Sequence, residues 1–173
     1  MLDSWIGIAG LVGTLVFGVL SIILYFRSVR TPKPMYRIDR STIRYLDPSR
    51  DYIPGFIRDG GGPPEAATHF VSFTIYFWNG GRGPIRGNDI LVPYTIRLDH
   101  RCLCILDAEF INKSRDVCEF ELEVDQRNGN VEIHFDVMEP GDGAAIRVIY
   151  AGGPRFTLHM TGEAVGVRMI RSG

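Results

Sequence analysis

The chain has 173 residues, 45% of them hydrophobic and 23% charged, with a formal net charge of −1. That is enough for one ordinary domain with its own core, and it lacks the basic excess of a general nucleic-acid binder. The three cysteines, Cys102, Cys104 and Cys118, are odd in number and contain no Cys-x-x-Cys pair, which fits reduced thiols buried as small hydrophobes better than a disulfide framework.

The first predicted element is a helix over residues 5–26, twenty-two residues without a charge between Asp3 and Arg27. At about 1.5 Å per residue it reaches ~33 Å, the thickness of a bilayer's hydrocarbon core. No basic n-region precedes it and no small-residue cleavage pattern ends it, so the sequence predicts a retained transmembrane anchor. Arg27, Arg30, Lys33, Arg37, Arg40 and Arg44 follow, opposed only by Asp39. Positive charge beside a span stays in the cytoplasm. Residues 1–4 are therefore expected outside, 5–26 in the inner membrane, 27–44 as a basic juxtamembrane linker with a first strand, and 45–173 as a cytosolic β-domain. Within 45–173 there are 13 Lys+Arg (19 − 6) and 18 Asp+Glu (20 − 2), a charge of −5. Gly7, Gly10, Thr14, Gly18 and Ser21 share one side of the helix and predict close self-association, since backbones approach where side chains are small.

Pro32 and Pro34 end the helix. Residues 35–46 read as a first strand or two, and 47–67, rich in Pro and Gly, as a long loop. Residues 69–78 alternate Val71, Phe73, Ile75 and Phe77 against Phe70, Ser72, Thr74, Tyr76 and Trp78. A turn at 79–84 leads to strands over 90–98 and 101–110, with Pro93 suggesting an edge or a bulge. In 117–125, Cys118, Phe120, Leu122 and Val124 face inward and Glu119, Glu121, Glu123 and Asp125 outward. Asn128-Gly129 signals a hairpin into 131–137. Strands over 144–151 and 156–170, the latter broken at Gly162, complete the pattern. About eight strands with turn signals and no further helix predict an all-β fold: an Ig-like antiparallel sandwich, with a small closed barrel as the alternative.

Two segments resemble the turns of Ig-like modules of bacterial surface and membrane-associated proteins. They are 77–90, with Asn79-Gly80-Gly81 and then Pro84-Ile85, and 135–142, with Glu139-Pro140-Gly141. The architecture, one N-terminal helix and a compact β-domain, resembles the small membrane effectors of bacterial antiphage signalling. That resemblance implies a nucleotide messenger bound by the β-domain, oligomerisation, and disruption of the inner membrane by the helices.

The candidate ligand-binding residues are Arg82, Arg86, Asn88 and Asp89 in the Gly-rich turn, where successive N–H groups and arginine forks suit an anion. To these add His134, Arg147 and His159 on strands, beside Asp136, as a polar groove if those strands are neighbours, and the aromatic set Phe70, Tyr76 and Trp78, with Trp78 foremost, as base-stacking rings or as packing between sheets. A plain turn and a solvated sheet face are the competing readings. No nucleophile elbow, His-Glu-x-x-His or zinc spacing is present, so no catalytic residue, metal or cofactor is expected. The expected partners are a lipid bilayer, further copies of the chain and a small nucleotide. The functional expectation is a sensor–effector, and its rival is a membrane-tethered scaffold that docks a protein partner.

Overall fold

In the computed structural model, described residues are 2–28, 30–46, 69–98, 102–126, 128–152, 157–167 and 171–172. The long loop at 47–67 and the Asp99-His100 pair lie outside them. The chain divides into two units, Met1–Arg30 and Thr31–Gly173.

The first unit is helix α1, Leu2–Ser28. Its side chains are described over 13–25, and the large ones point to solvent: Leu15, Phe17, Ile22, Ile23, Leu24 and Tyr25 are each more than half exposed. The predicted helix is therefore present. Its predicted crossing of a bilayer is not shown: among the described residues no helix is long and apolar enough to cross a membrane.

The second unit is β-sheet. Its strands are β1 (Pro34–Leu46), β2 (Phe70–Asn79), β3 (Ile85–Arg86), β4 (Ile90–Leu98), β5 (Cys102–Lys113), β6 (Glu121–Asp125), β7 (Asn130–His134), β8 (Val137–Met138), β9 (Gly143–Gly152), β10 (Leu158–Ala164) and β11 (Arg171–Ser172). One sheet runs β11-β1-β2-β9-β5, a second β10-β4-β7-β6, and β3 pairs with β8. All pairings are antiparallel except β1 with β11. Among the described residues no sheet closes on itself, so the barrel alternative is not the observed architecture.

Period-two alternation explains the core. Val71, Phe73, Ile75 and Phe77 of β2 meet Tyr94 and Ile96 of β4, Val131 and Ile133 of β7, and Ile146, Val148 and Tyr150 of β9 in one buried cluster. Fully burying side chains of this size stabilises the fold by about 2 kcal/mol each. Cys118 and Phe120 are buried as expected, but the strand there begins later than the alternation suggests. Residues Asp116–Cys118 form a 3-10 turn, and Glu119 takes a left-handed conformation with φ 48°. Likewise 131–137 is not one strand. It stops at His134, and Val137–Met138 leaves to pair with Ile85–Arg86. The expected break at Gly162 is a register shift inside β10, where Tyr94 packs so tightly on the glycine that a Cβ would collide with its ring.

Candidate functional site

The outer face of the larger sheet follows from its register. Trp78 pairs with Met35 and Gly143, and Tyr76 with Arg37 and Ala145. One strand further, Ala145 pairs with Asn112 and Arg147 with Glu109. Side chains of these residues share the outer face, because their neighbours along each strand point into the core. Gly143 and Ala145 are small, so they form a floor between the Trp78 and Tyr76 rings and the polar wall of Asn112 and Ser114. The result is an open trough of about 420 Å³, with Arg37 at its rim.

Gly143 cannot be larger. A Cβ there would run into the Phe77 carbonyl and into Trp78. Ser114 fixes this strand end, its N–H donating to Gly143 O at 2.9 Å and its hydroxyl accepting from Gly143 N at 3.1 Å. Next to it, Arg115 pairs with Asp142 through its Nε and Nη2. That guanidinium holds the Asp142 carboxyl below its ordinary pKa, helped by the Glu139 N–H, which donates to Asp142 Oδ2 at 3.0 Å. One residue pair along the sheet, Arg147 is engaged by Glu109, whereas Arg37 has no ion-pair partner among the described residues. Arg37 is an exposed cation at this rim, coupled through its charge to Asp39 two residues along β1. The site offers aromatic rings for stacking, a guanidinium for an anion, and amide and hydroxyl groups for orientation.

The predicted anion-binding turn has a different role. Its N–H groups are already committed: Gly80 N to Lys33 O at 2.9 Å, Arg82 N and Gly83 N to Thr31 O at 2.9 and 3.3 Å, and Gly87 N to Asp136 O at 2.6 Å. At the centre is Asn79, fully buried. Its Nδ2 donates to Gly83 O at 2.8 Å and Met138 O at 2.9 Å, and its Oδ1 accepts from Lys33 N at 3.2 Å and Gly81 N at 2.9 Å. A Cβ on Gly81 would meet Lys33 N and Thr31 O at 2.5 Å each, so the glycine is required by close backbone approach. The turn is a structural junction, and the amides of Gly80, Gly81, Arg82, Gly83 and Gly87 are bonded within the chain.

The predicted groove of His134, Arg147 and His159 does not form. Arg147 lies on β9 of one sheet, while His134 and His159 lie on β7 and β10 of the other, with β4 between them. Arg82 and Arg86 are exposed. Asn88 does approach His134: with Gly87, Pro93 and Asp136 they line a cleft of about 380 Å³, and Asp89 sits half-buried in the same 3-10 turn. Of the predicted residues, Trp78 lines the trough. Tyr76, named with Trp78 in the aromatic set, lines it too; Arg37, Asn112 and Ser114 were missed as site residues, and the available signal was the amphipathic parity of β1 and β2. In the helix, Gly18 has open space around it, and Ser21 Oγ donates to Phe17 O at 2.8 Å. Thr14 is exposed, and Gly7 and Gly10 fall outside the part of α1 whose side chains are described.

Cys104 and Cys118 are free thiols, both pushed to higher pKa by burial, which makes them poor nucleophiles. Comparison with known proteins finds no family model, no curated protein and no solved structure that matches the chain.

Proposed function

We propose that the protein is a membrane-held sensor–effector whose β-domain binds a small aromatic anion, a nucleotide messenger being the best fit, in the trough of Trp78, Tyr76 and Arg37. The observation that carries this reading is the trough itself: two aromatic rings beside an exposed guanidinium over a floor of Gly143 and Ala145. A base stacks on the rings and a phosphate takes the arginine fork. The helix supplies the membrane part. Its uncharged run of twenty-two residues and the outward-facing Leu15, Phe17, Ile22 and Leu24 support an anchor with the β-domain on the cytosolic, Arg-rich side. The side with Gly7, Gly10, Thr14, Gly18 and Ser21 then associates between copies, and ligand binding drives oligomerisation and membrane disruption, as in the antiphage effectors that the architecture resembles. The two facing sheets also support the Ig-like sandwich as the finer description of the fold.

The chain has two tryptophans, so Trp5→Phe leaves Trp78 as the single indole of the full-length protein. Titration with cyclic and linear nucleotides is expected to quench its emission, and Arg37→Ala to weaken binding about tenfold or more, the scale of a charge-assisted contact. Emission unchanged across the panel sinks the ligand reading.

A specific observation favours a second reading. Leu91, Val92 and Val165 are exposed beside β10, the edge of the smaller sheet, a surface suited to a docked protein. A tethered scaffold predicts that charged substitutions at these three positions abolish function while Arg37→Ala preserves it.

A further inference from the structure

The smaller sheet carries a side-chain constellation unconnected with the trough. On its outer face the antiparallel register sets Glu123 of β6 directly opposite Glu132 of β7, and Glu121 directly opposite His134. Two carboxylates directly opposite one another repel, and a sheet normally avoids that arrangement. Here the imidazole stands beside them. His134 Nε2 lies 3.8 Å from Glu123 Oε2 and 3.8 Å from Glu132 Oε2. The three donor atoms all fall within 4.8 Å of one another. Nε2 is itself shielded from solvent and finds no hydrogen-bond partner among the described residues. A sheltered ring nitrogen aimed between two opposed carboxylates lacks only a cation to satisfy all three.

We propose that Glu123, Glu132 and His134 bind a first-row divalent transition cation, zinc fitting best. One nitrogen and two carboxylate oxygens are its ordinary donors, at about 2.0–2.2 Å, so the flexible glutamates close by roughly 1 Å to reach it. The imidazole selects against magnesium and calcium, which prefer all-oxygen shells. Three protein donors leave a position open for water or an anionic ligand. His134 also lines the cleft with Asn88, so an anion on the metal has a bounded space to occupy. The ion ties edge strand β6 to β7 and removes the repulsion between them.

The test is titration of the full-length protein in detergent with Zn²⁺ against a chromogenic chelator. The expected result is one ion per chain, with no competition from Mg²⁺ at a hundredfold excess. His134→Ala and Glu132→Gln are each expected to weaken binding by more than about a hundredfold, above the roughly 10–100-fold lost when outer-shell partners are removed. His159→Ala, on β10 across β4, is expected to leave binding unchanged. Glu123→Gln supplies a variant whose folding is not at issue, because that side chain is 77% exposed on an edge strand. Zinc binding of undiminished affinity in the His134 or Glu123 variants, or no binding below millimolar zinc, overturns the proposal.

Discussion

Asp142 is the residue on which one end of the trough depends. Its carboxylate takes the Arg115 fork and the Glu139 N–H, while its backbone carbonyl accepts from Asn79 N at 2.8 Å. The depressed pKa of Asp142 fixes the sign of the pH dependence. A carboxyl whose folded value lies below its unfolded value, about 3.9, adds stability above that pH and loses it as pH falls through the folded value. Arg115→Ala raises the folded value and removes this contribution. Acid unfolding followed by circular dichroism is therefore expected to begin at higher pH in Arg115→Ala than in the parent, and coincident curves would show that the pair is decorative. Tyr94 marks the opposite case. It is fully buried, its hydroxyl has no hydrogen-bond partner among the described residues, and desolvation lifts its pKa to about 12. Its ring, packed on Phe77 and Phe135, is what the core uses.

At the scale of elements, Asn79 joins pieces that are far apart in sequence. One side chain fastens residue 33, the 80–83 turn and β8. Asn79→Ala leaves two buried carbonyls and two backbone N–H groups without their partner. With unsatisfied buried groups costing about 1–3 kcal/mol each, partly offset where water enters, the expected loss is roughly 3 kcal/mol of unfolding free energy in a urea titration. A loss below ~1 kcal/mol would mean that the junction is not built on this side chain. These elements also show how far the sequence can be read. The inward and outward faces of β2, β6 and β7 were legible, because alternation has the same period as the pleat. The ends were not. Glu119 turns left-handed and β8 departs for another partner at Phe135-Asp136, and neither event leaves a trace in hydrophobic periodicity. The internal bonds of the Gly-rich turn were not legible for a related reason: the partners of its amides come from residues 31, 33 and 136, which only the fold brings near. Arg37, Tyr76 and Asn112 became one site through register, and register is set by long-range pairing.

At the scale of the whole molecule, the two units place their apolar residues differently. The β-domain buries its apolar residues in a shared core. The described part of α1 exposes Leu15, Val16, Phe17, Val19, Leu20, Ile22, Ile23 and Leu24. Such a surface is costly in water at about 25 cal/mol per Å² and is stable when lipid or other helices cover it. In the proposed function, lipid provides that cover, and the trough then works at the cytosolic surface. The most direct measurement is alkaline carbonate extraction of membranes from cells expressing the full chain, beside the same chain lacking residues 1–30. A membrane-held protein stays in the pellet at full length and moves to the supernatant when shortened. Release of the full-length chain by carbonate would contradict the membrane anchor and leave α1 as a helix that docks on another protein.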